Sequence, residues 1–166
     1  MITLIEDSRQ QAGKHNIKQQ YFEGEGVEIL RCKLPFGDYA FPAAIAVDTK
    51  NSMDEIAGNI GGGREEHQRF KRECIRARDA GCKLVFLIEN TCGIRTVDDV
   101  HKWKNPRSIY SNKCIQGDRL EKAMKTMSER YGCEFQFCAP EESGARILEI
   151  LGGGTVGRDQ HDAGGA

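Results

Sequence analysis

The segment that most constrains the fold is the uninterrupted apolar run at residues 84–88, which lies between Lys83 and Glu89. Its length is that of a strand, and no polar residue alternates with the apolar ones, so both faces of the strand must be covered. Strands of this kind occur in sheets that carry helices on both sides. We therefore expect residues 83–89 to form a buried strand of an α/β domain.

The rest of the sequence predicts further strands and helices around this one. Apolar and β-branched runs bounded by glycine or proline predict strands at residues 2–5, 27–33, 38–41, 44–50 and 134–138. Apolar spacing of three to four residues, together with capping signals, predicts helices at residues 14–23, 53–60, 64–80, 97–103, 117–131 and 140–151. The first helix is expected from Ile17 and Tyr21, one turn apart, and the second from Ser52 as its N-cap. The order predicts a mixed sheet flanked by helices.

Composition bounds the class of protein. The 166 residues, 39% of them hydrophobic, suit one compact domain, which we expect at residues 1–151, followed by a Gly-rich, disordered tail at 152–166. Seven cysteines without a CxxC spacing favour reduced thiols over a disulfide framework or a zinc ribbon. With no apolar run of membrane length and no signal-peptide pattern, we expect a cytoplasmic protein without membrane association.

Global charge does not indicate a nucleic-acid-binding protein, because 24 basic and 25 acidic residues give a net charge of −1. Any affinity for DNA must come from local basic clusters, which occur at residues 64–78 and 102–130. Within the second cluster, Trp103 and Tyr110 flank basic residues, which is typical of a loop that stacks on bases. Packing of Trp103 at the edge of the core is an equally good interpretation.

Chemistry is indicated by three residues on the predicted hairpin. Side chains two apart in a strand share a face, so Asp48 and Lys50 point the same way, and Asp38 lies on the preceding strand. Converging carboxylates suit Mg²⁺, and a lysine beside the metal can orient a water for phosphodiester hydrolysis. An Asp-x-Lys triplet alone is more often a surface ion pair.

The wider sequence carries five short motifs in a fixed order. They are Ile5-Glu6-Asp7-Ser8-Arg9, Leu34-Pro35-Phe36-Gly37-Asp38-Tyr39, Val47-Asp48-Thr49-Lys50 followed by Asp54, Gly63-Arg64-x3-Gln68, and Leu84-Val85-Phe86-Leu87-Ile88-Glu89. Over residues 2–150 they resemble the nuclease domain of the XPF-type structure-specific endonucleases of the PD-(D/E)XK superfamily. The resemblance implies a restriction-endonuclease-like fold. It also implies Mg²⁺-dependent cleavage of branched or forked DNA, with Mn²⁺ able to substitute and no organic cofactor.

The same resemblance implies roles for residues of the candidate active site. Asp38 and Asp48 would be metal ligands, with the backbone carbonyl of Thr49 as a third. Lys50 would position the attacking water, and Asp7 would add negative charge near the metal as a fourth catalytic residue.

Other residues are implied as supporting or substrate-binding groups. Asp54 falls at the trailing acid of the motif, and Arg9 would contact phosphate or pair with an acid of the site. Arg64 and Gln68, one turn apart, would grip the DNA backbone, although polar residues at a helix start are also commonly just exposed.

Three positions depart from the family pattern. Asp48 stands where the family has Glu, Thr49 where it has Arg, and Gln10 where it has Glu. The family's tandem helix-hairpin-helix module is expected to be absent, which suggests a stand-alone, phage-type nuclease acting as a homodimer or with a host partner. Two alternatives stay open at this point: a degenerate nuclease domain that binds DNA without cutting it, and a four-way-junction resolvase.

Overall fold

The computed structural model describes residues 2–11, 13, 16–40 and 45–152 of the chain. Within these residues six strands form one sheet, and they are β1 (Ile2–Asp7), β2 (Val27–Cys32), β3 (Tyr39–Ala40), β4 (Ile45–Lys50), β5 (Lys83–Glu89) and β6 (Glu134–Cys138). Five α-helices accompany them, and they are α1 (Asn16–Gly24), α2 (Met53–Gly61), α3 (Arg64–Asp79), α4 (Gly117–Tyr131) and α5 (Ser143–Ile150). Three 3-10 helices lie at Val97–Lys102, Pro106–Ile109 and Pro140–Glu142.

The sheet is mixed, with the strand order β2-β1-β3-β4-β5-β6. Strands β1 and β2 are parallel, as are β4, β5 and β6, whereas β3 is antiparallel to both of its neighbours. Tyr39 pairs with Val47, so the predicted hairpin of β3 and β4 is confirmed for its described residues. Residues 41–44, where both strands were expected to extend, lie outside the described part of the chain.

Helices cover both faces of the sheet. One face packs on α2, α3 and α4 through a core that includes Phe70, Phe86 and Met124. The other face packs on α1 and α5 through a second core that includes Phe22 and Ile147. The predicted burial of β5 is confirmed, since all its residues except Lys83 are buried. It lies next to the edge strand β6.

The first helix differs from its expected orientation. Ile17 is 63% exposed, and the buried residues of α1 are Lys18 and Phe22. The Phe22 ring packs edge-on against Tyr39 with centroids 5.7 Å apart, which turns Lys18 inward to an ion pair with Glu89. The expected start of the helix at residues 14 and 15 lies outside the described residues.

The structure bears on the cysteines and on membrane association. All seven cysteines are free thiols, as expected. Among the described residues, no helix is long and apolar enough to cross a membrane.

Candidate active site

The carboxyl end of β4 places Asp48 and Lys50 on the sheet face that packs on α3. Both line a cavity of about 270 Å³. Asp48 is buried, and Lys50 Nζ lies 2.6 Å from Asp48 Oδ1. Oδ1 is therefore a buried carboxylate oxygen that forms an ion pair with Lys50 and accepts no hydrogen bond from any other described residue. A buried oxygen of this kind is where a cation is best accommodated.

Aromatic rings hold Lys50 in place. Its Nζ lies 5.8 Å from the centroid of Phe70 and 5.7 Å from that of Phe86, within the range of cation–π attraction. The ammonium therefore has a fixed position beside Asp48.

The charges of the cavity perturb one another strongly. Burial raises the pKa of the Asp48 carboxyl well above its ordinary value; Lys50 opposes this shift, while the charges of Asp38 and Glu73 add to it. Burial alone would lower the pKa of Lys50, but the Asp48 carboxylate outweighs it and raises the pKa of that ammonium. Asp38 and Glu73 therefore disfavour the charged form of Asp48, and Lys50 favours it.

Asp38 is fixed to the same strand by hydrogen bonds. Its backbone N–H donates to Val47 O at 2.8 Å, and its Oδ2 accepts from Thr49 N at 2.7 Å and from Thr49 Oγ1 at 2.8 Å. The charge of Asp38 acts on Asp48, but Asp38 is not among the residues that line the cavity. The structure brings the two predicted acids to one strand end, with Asp38 Oδ1 making no hydrogen bond to the described residues.

Helix α3 contributes cavity residues that the sequence analysis did not identify, and they are Glu66, Arg69, Phe70, Glu73 and Arg76. Glu73 Oε1 accepts a hydrogen bond from Gly37 N at 3.0 Å, which anchors the turn just before Asp38. Gly37 has φ +73°, a conformation that favours glycine. These residues recur every three to four positions along α3, which places them on one side of the helix. The sequence shows this spacing, but only the packing of α3 shows that this side faces β4.

Arg64 and Gln68 lie elsewhere on α3. Both are exposed, and neither lines the cavity. Arg64 and Glu73 are nine positions apart and therefore on roughly opposite sides of the helix. Their predicted grip on the DNA backbone stays a prediction, made from a different face of α3.

Asp7 and Arg9 form a tight pair at the end of β1. Asp7 is buried and accepts hydrogen bonds from the backbone N–H of Arg9 at 2.9 Å and from its guanidinium, while Arg9 Nη2 also donates to Leu34 O at 2.8 Å. Burial raises the pKa of Asp7, but the hydrogen bonds and charge of Arg9 outweigh it and hold that pKa below its usual range. Arg9 lines the cavity, whereas Asp7 does not.

Asp54 lies in the first turn of α2 and does not line the cavity of Asp48. It lines a separate groove together with Asn105, Arg107 and Ile115, and its Oδ1 is buried without a hydrogen-bond partner in the described chain. The structure therefore does not bring the trailing acid into the cavity of Asp48.

The donor set of the cavity fits a hard divalent cation bound partly through water. No group of three His, Cys, Asp or Glu in the described chain is arranged to enclose a metal by itself. Mg²⁺ commonly binds through only one or two carboxylates and retains several waters. Asp48 Oδ1, whose ion-pair partner is Lys50, supplies one such ligand, and Asp38 is the second candidate.

Comparison with known proteins identifies the domain. Residues 6–151 match the ERCC4 domain. The chain belongs to the ERCC4 domain family. This confirms the resemblance to XPF-type nuclease domains inferred from the motifs; the stand-alone, phage-type form stays a prediction.

Solved structures show the same fold as this ERCC4 domain. XPF from Aeropyrum pernix matches with a TM-score of 0.62 and 20% identity, over 90% of this chain and 63% of that one. XPF from Aeropyrum pernix in complex with DNA matches with a TM-score of 0.62 and 17% identity, over 91% of this chain and 64% of that one. The chain thus spans less than two thirds of either structure. No curated protein matches the sequence.

Proposed function

We propose that this chain is a divalent-metal-dependent endodeoxyribonuclease that hydrolyses phosphodiester bonds in branched or forked DNA. The observation that carries the proposal is the buried carboxylate of Asp48 paired with the ammonium of Lys50, in a cavity that arginines also line. Membership of the ERCC4 domain family supports it. The XPF structure from Aeropyrum pernix that contains DNA supports DNA as the substrate.

Each residue has a distinct task in this proposal. Asp48 and Asp38, with the Thr49 carbonyl, would hold Mg²⁺ or Mn²⁺. The bound cation would lower the pKa of water and offset charge that develops on the phosphate. Lys50 orients the attacking water and carries positive charge next to the scissile phosphate, while Arg9 and Arg76 hold the flanking backbone.

Cleavage of labelled DNA tests the proposal. Linear, splayed-arm, flap and four-way substrates are incubated with Mg²⁺, Mn²⁺ or EDTA, using the wild type, Asp48→Ala and Lys50→Ala. Asp79→Ala is the matched control, because Asp79 is exposed at the end of α3. We expect metal-dependent cutting that Asp48→Ala lacks, that Lys50→Ala largely lacks and that Asp79→Ala retains.

A second candidate function is DNA binding without cleavage. It is favoured by the internal partners of the two acids, since Lys50 already lies against Asp48 and Thr49 already occupies Asp38 Oδ2. Binding of all substrates without cutting in either metal would establish this alternative. Cutting confined to four-way DNA, with paired nicks in opposite strands, would indicate a junction resolvase and require the predicted homodimer.

A further inference from the structure

Residues 104–115, here called the connecting loop, join the 3-10 helix Val97–Lys102 to α4. The loop carries the two most exposed large apolar side chains of the described residues, Ile109 at 80% exposed and Tyr110 at 90% exposed. Scattered exposed apolar residues are common, but two adjacent ones on one loop indicate a contact surface.

The connecting loop is rigidly built. Asn105 is 3% exposed; its Nδ2 donates to Ile115 O at 2.9 Å and its Oδ1 accepts from Arg107 N at 3.0 Å. Pro106 opens the short 3-10 helix, and Tyr110 N donates to Arg107 O at 3.0 Å. Hydrogen bonds therefore hold the backbone around the exposed pair, and less entropy is lost on binding when the backbone is already ordered.

The base of the connecting loop is seated on α2 and on the core. A Cβ atom at Gly61 would lie 2.6 Å from the side chain of Ile115, so the two residues pack at the closest possible approach. Trp103 is buried, which confirms that it packs on the core edge. Tyr110 alone of the two aromatic residues projects into solvent.

Positive charge without an ion-pair partner among the described residues lies on the same loop. The side chains of Lys104, Arg107 and Lys113 make no ion pair with any described residue. Other lysines nearby are neutralised, since Lys102 pairs with Asp99 at 3.0 Å and Lys125 pairs with acids at 2.6–2.7 Å. Protein–protein interfaces are depleted in lysine, whereas free cations beside an aromatic ring match a phosphate backbone and a base.

The connecting loop also stands at a defined place relative to the catalytic cavity. Asn59 on one flank of α2 lines the cavity, and Gly58 and Gly61 on the other flank line the groove under the loop, where Asp54 is the one acid. The cavity and the groove therefore lie on two flanks of the same helix, which is about 10 Å across with its side chains.

We propose that the connecting loop is a base-stacking site for branched DNA. Tyr110 stacks on an unpaired base at the branch point, and Ile109 packs against its edge. Lys104, Arg107 and Lys113 bind the adjoining phosphates, which places the cut a few nucleotides from the branch. This inference rests on the proposed function for its substrate, but its binding step needs neither metal nor cleavage.

The test measures binding in EDTA by the full chain. Splayed-arm DNA with 2-aminopurine at the branch is compared with a fully paired duplex of equal length, using Tyr110→Ala, Tyr110→Phe and Tyr110→Leu. Leu30→Ala is the matched control, because Leu30 is another exposed apolar residue, 55% exposed, and lies outside the connecting loop. Loss of one stacked base weakens binding by about tenfold. We expect Tyr110→Ala and Tyr110→Leu to bind splayed-arm DNA about tenfold more weakly, to bind the duplex as the wild type does, and to lose the 2-aminopurine fluorescence response. Tyr110→Phe and Leu30→Ala should keep the wild-type affinity and the fluorescence response.

The positive charges are tested by the salt dependence of the same binding. Replacing Lys104, Arg107 or Lys113 by Ala should lower the slope of log K against log salt by roughly 0.7 for each single-strand phosphate lost. Lys125→Ala is the control, since that lysine is already paired within the protein. Its slope should stay that of the wild type.

Distinct outcomes would overturn the inference. Equal weakening on duplex and splayed-arm DNA, or full rescue by Tyr110→Leu, would show that Tyr110 does not stack. A shift from dimer to monomer in Tyr110→Ala, measured by sedimentation, would assign the loop to self-association. If the wild type cuts no DNA but the Tyr110 variants still lose binding to splayed-arm DNA, only the proposed function is wrong. If the wild type cuts DNA but its binding to the branch does not depend on Tyr110, only this inference is wrong.

Discussion

Replacing Lys50 by methionine isolates the balance of charge in the candidate active site. The methionine side chain can occupy the space of the lysine stem beside the Phe70 and Phe86 rings, so the packing is largely retained while the cation is lost. Asp48 is 7% exposed and would lose the ammonium that lies 2.6 Å from it. The variant therefore tests whether this carboxylate depends on a cation.

Removing one partner of a buried ion pair costs about 3–5 kcal/mol, because the remaining charge is left uncompensated. For a chain of this size, each kcal/mol shifts Tm by about 2–4 °C, so the metal-free variant should melt about 6–20 °C below the wild type. Saturation with Mg²⁺ at about 100 times Kd should return about 2.7 kcal/mol. The wild type should gain less, since Lys50 already occupies the position next to Asp48.

The loss should also depend on pH with a definite sign. Because burial raises the pKa of Asp48, the folded state retains a proton there more readily than the unfolded state. The protonated carboxyl is tolerated at low pH, and stability falls as pH rises through the raised pKa. The destabilisation of Lys50→Met should therefore increase as pH rises above 3.8, the ordinary pKa of the carboxyl group.

Thermal melts with and without Mg²⁺ give these values, and the double variant Asp48→Asn/Lys50→Met is the control. Removing both charges should recover most of the lost stability and abolish the response to Mg²⁺. Equal Mg²⁺ responses in the wild type and Lys50→Met, or a single variant as stable as the wild type, would refute the reasoning.

Three further predictions concern other parts of the structure. Glu73→Ala removes the acceptor for Gly37 N and displaces the turn before the acids proposed to bind the metal, which should slow the proposed cleavage by about 100-fold in single-turnover kinetics. Glu73→Gln keeps an acceptor oxygen and should retain most of the rate. Gly61→Ala places a Cβ against Ile115 and should cost about 1–3 kcal/mol in denaturant unfolding, and an unchanged midpoint would contradict the packing. Hydrogen bonds from Lys102 and from the Arg95 backbone lower the pKa of Asp99 to about 2. The contribution of Asp99 to folding stability is therefore complete above its ordinary pKa of 3.8 and is lost as pH falls towards 2. The free energy of unfolding should depend less on pH in this range in Asp99→Asn than in the wild type.

Much of the fold follows from local pattern. The apolar run of β5 required cover on both faces, and the helices at 64–79 and 117–131 formed where apolar spacing indicated them. The period of two along β4 placed Asp48 and Lys50 on one face. In each case one segment contains all of the information, because side-chain direction is fixed by backbone geometry.

Orientation between segments was less predictable. Ile17 and Tyr21 indicated a helix, but Lys18 and Phe22 became its buried residues because Glu89 and Tyr39 lie opposite them on the sheet. A helix with apolar residues on two neighbouring faces can pack through either one. The residues of distant strands select the face.

The sequence by itself determined the α/β class, the family motifs and the pairing of an acid with a lysine on one strand, since each depends on residues close along the chain. Only the tertiary structure decided that Glu73 faces Asp48, that Asp38 is held by Thr49 and that Asp54 belongs to a different groove. These contacts depend on how α2 and α3 pack against β4. Packing is set by the shape and charge of whole surfaces, which no single segment of sequence contains.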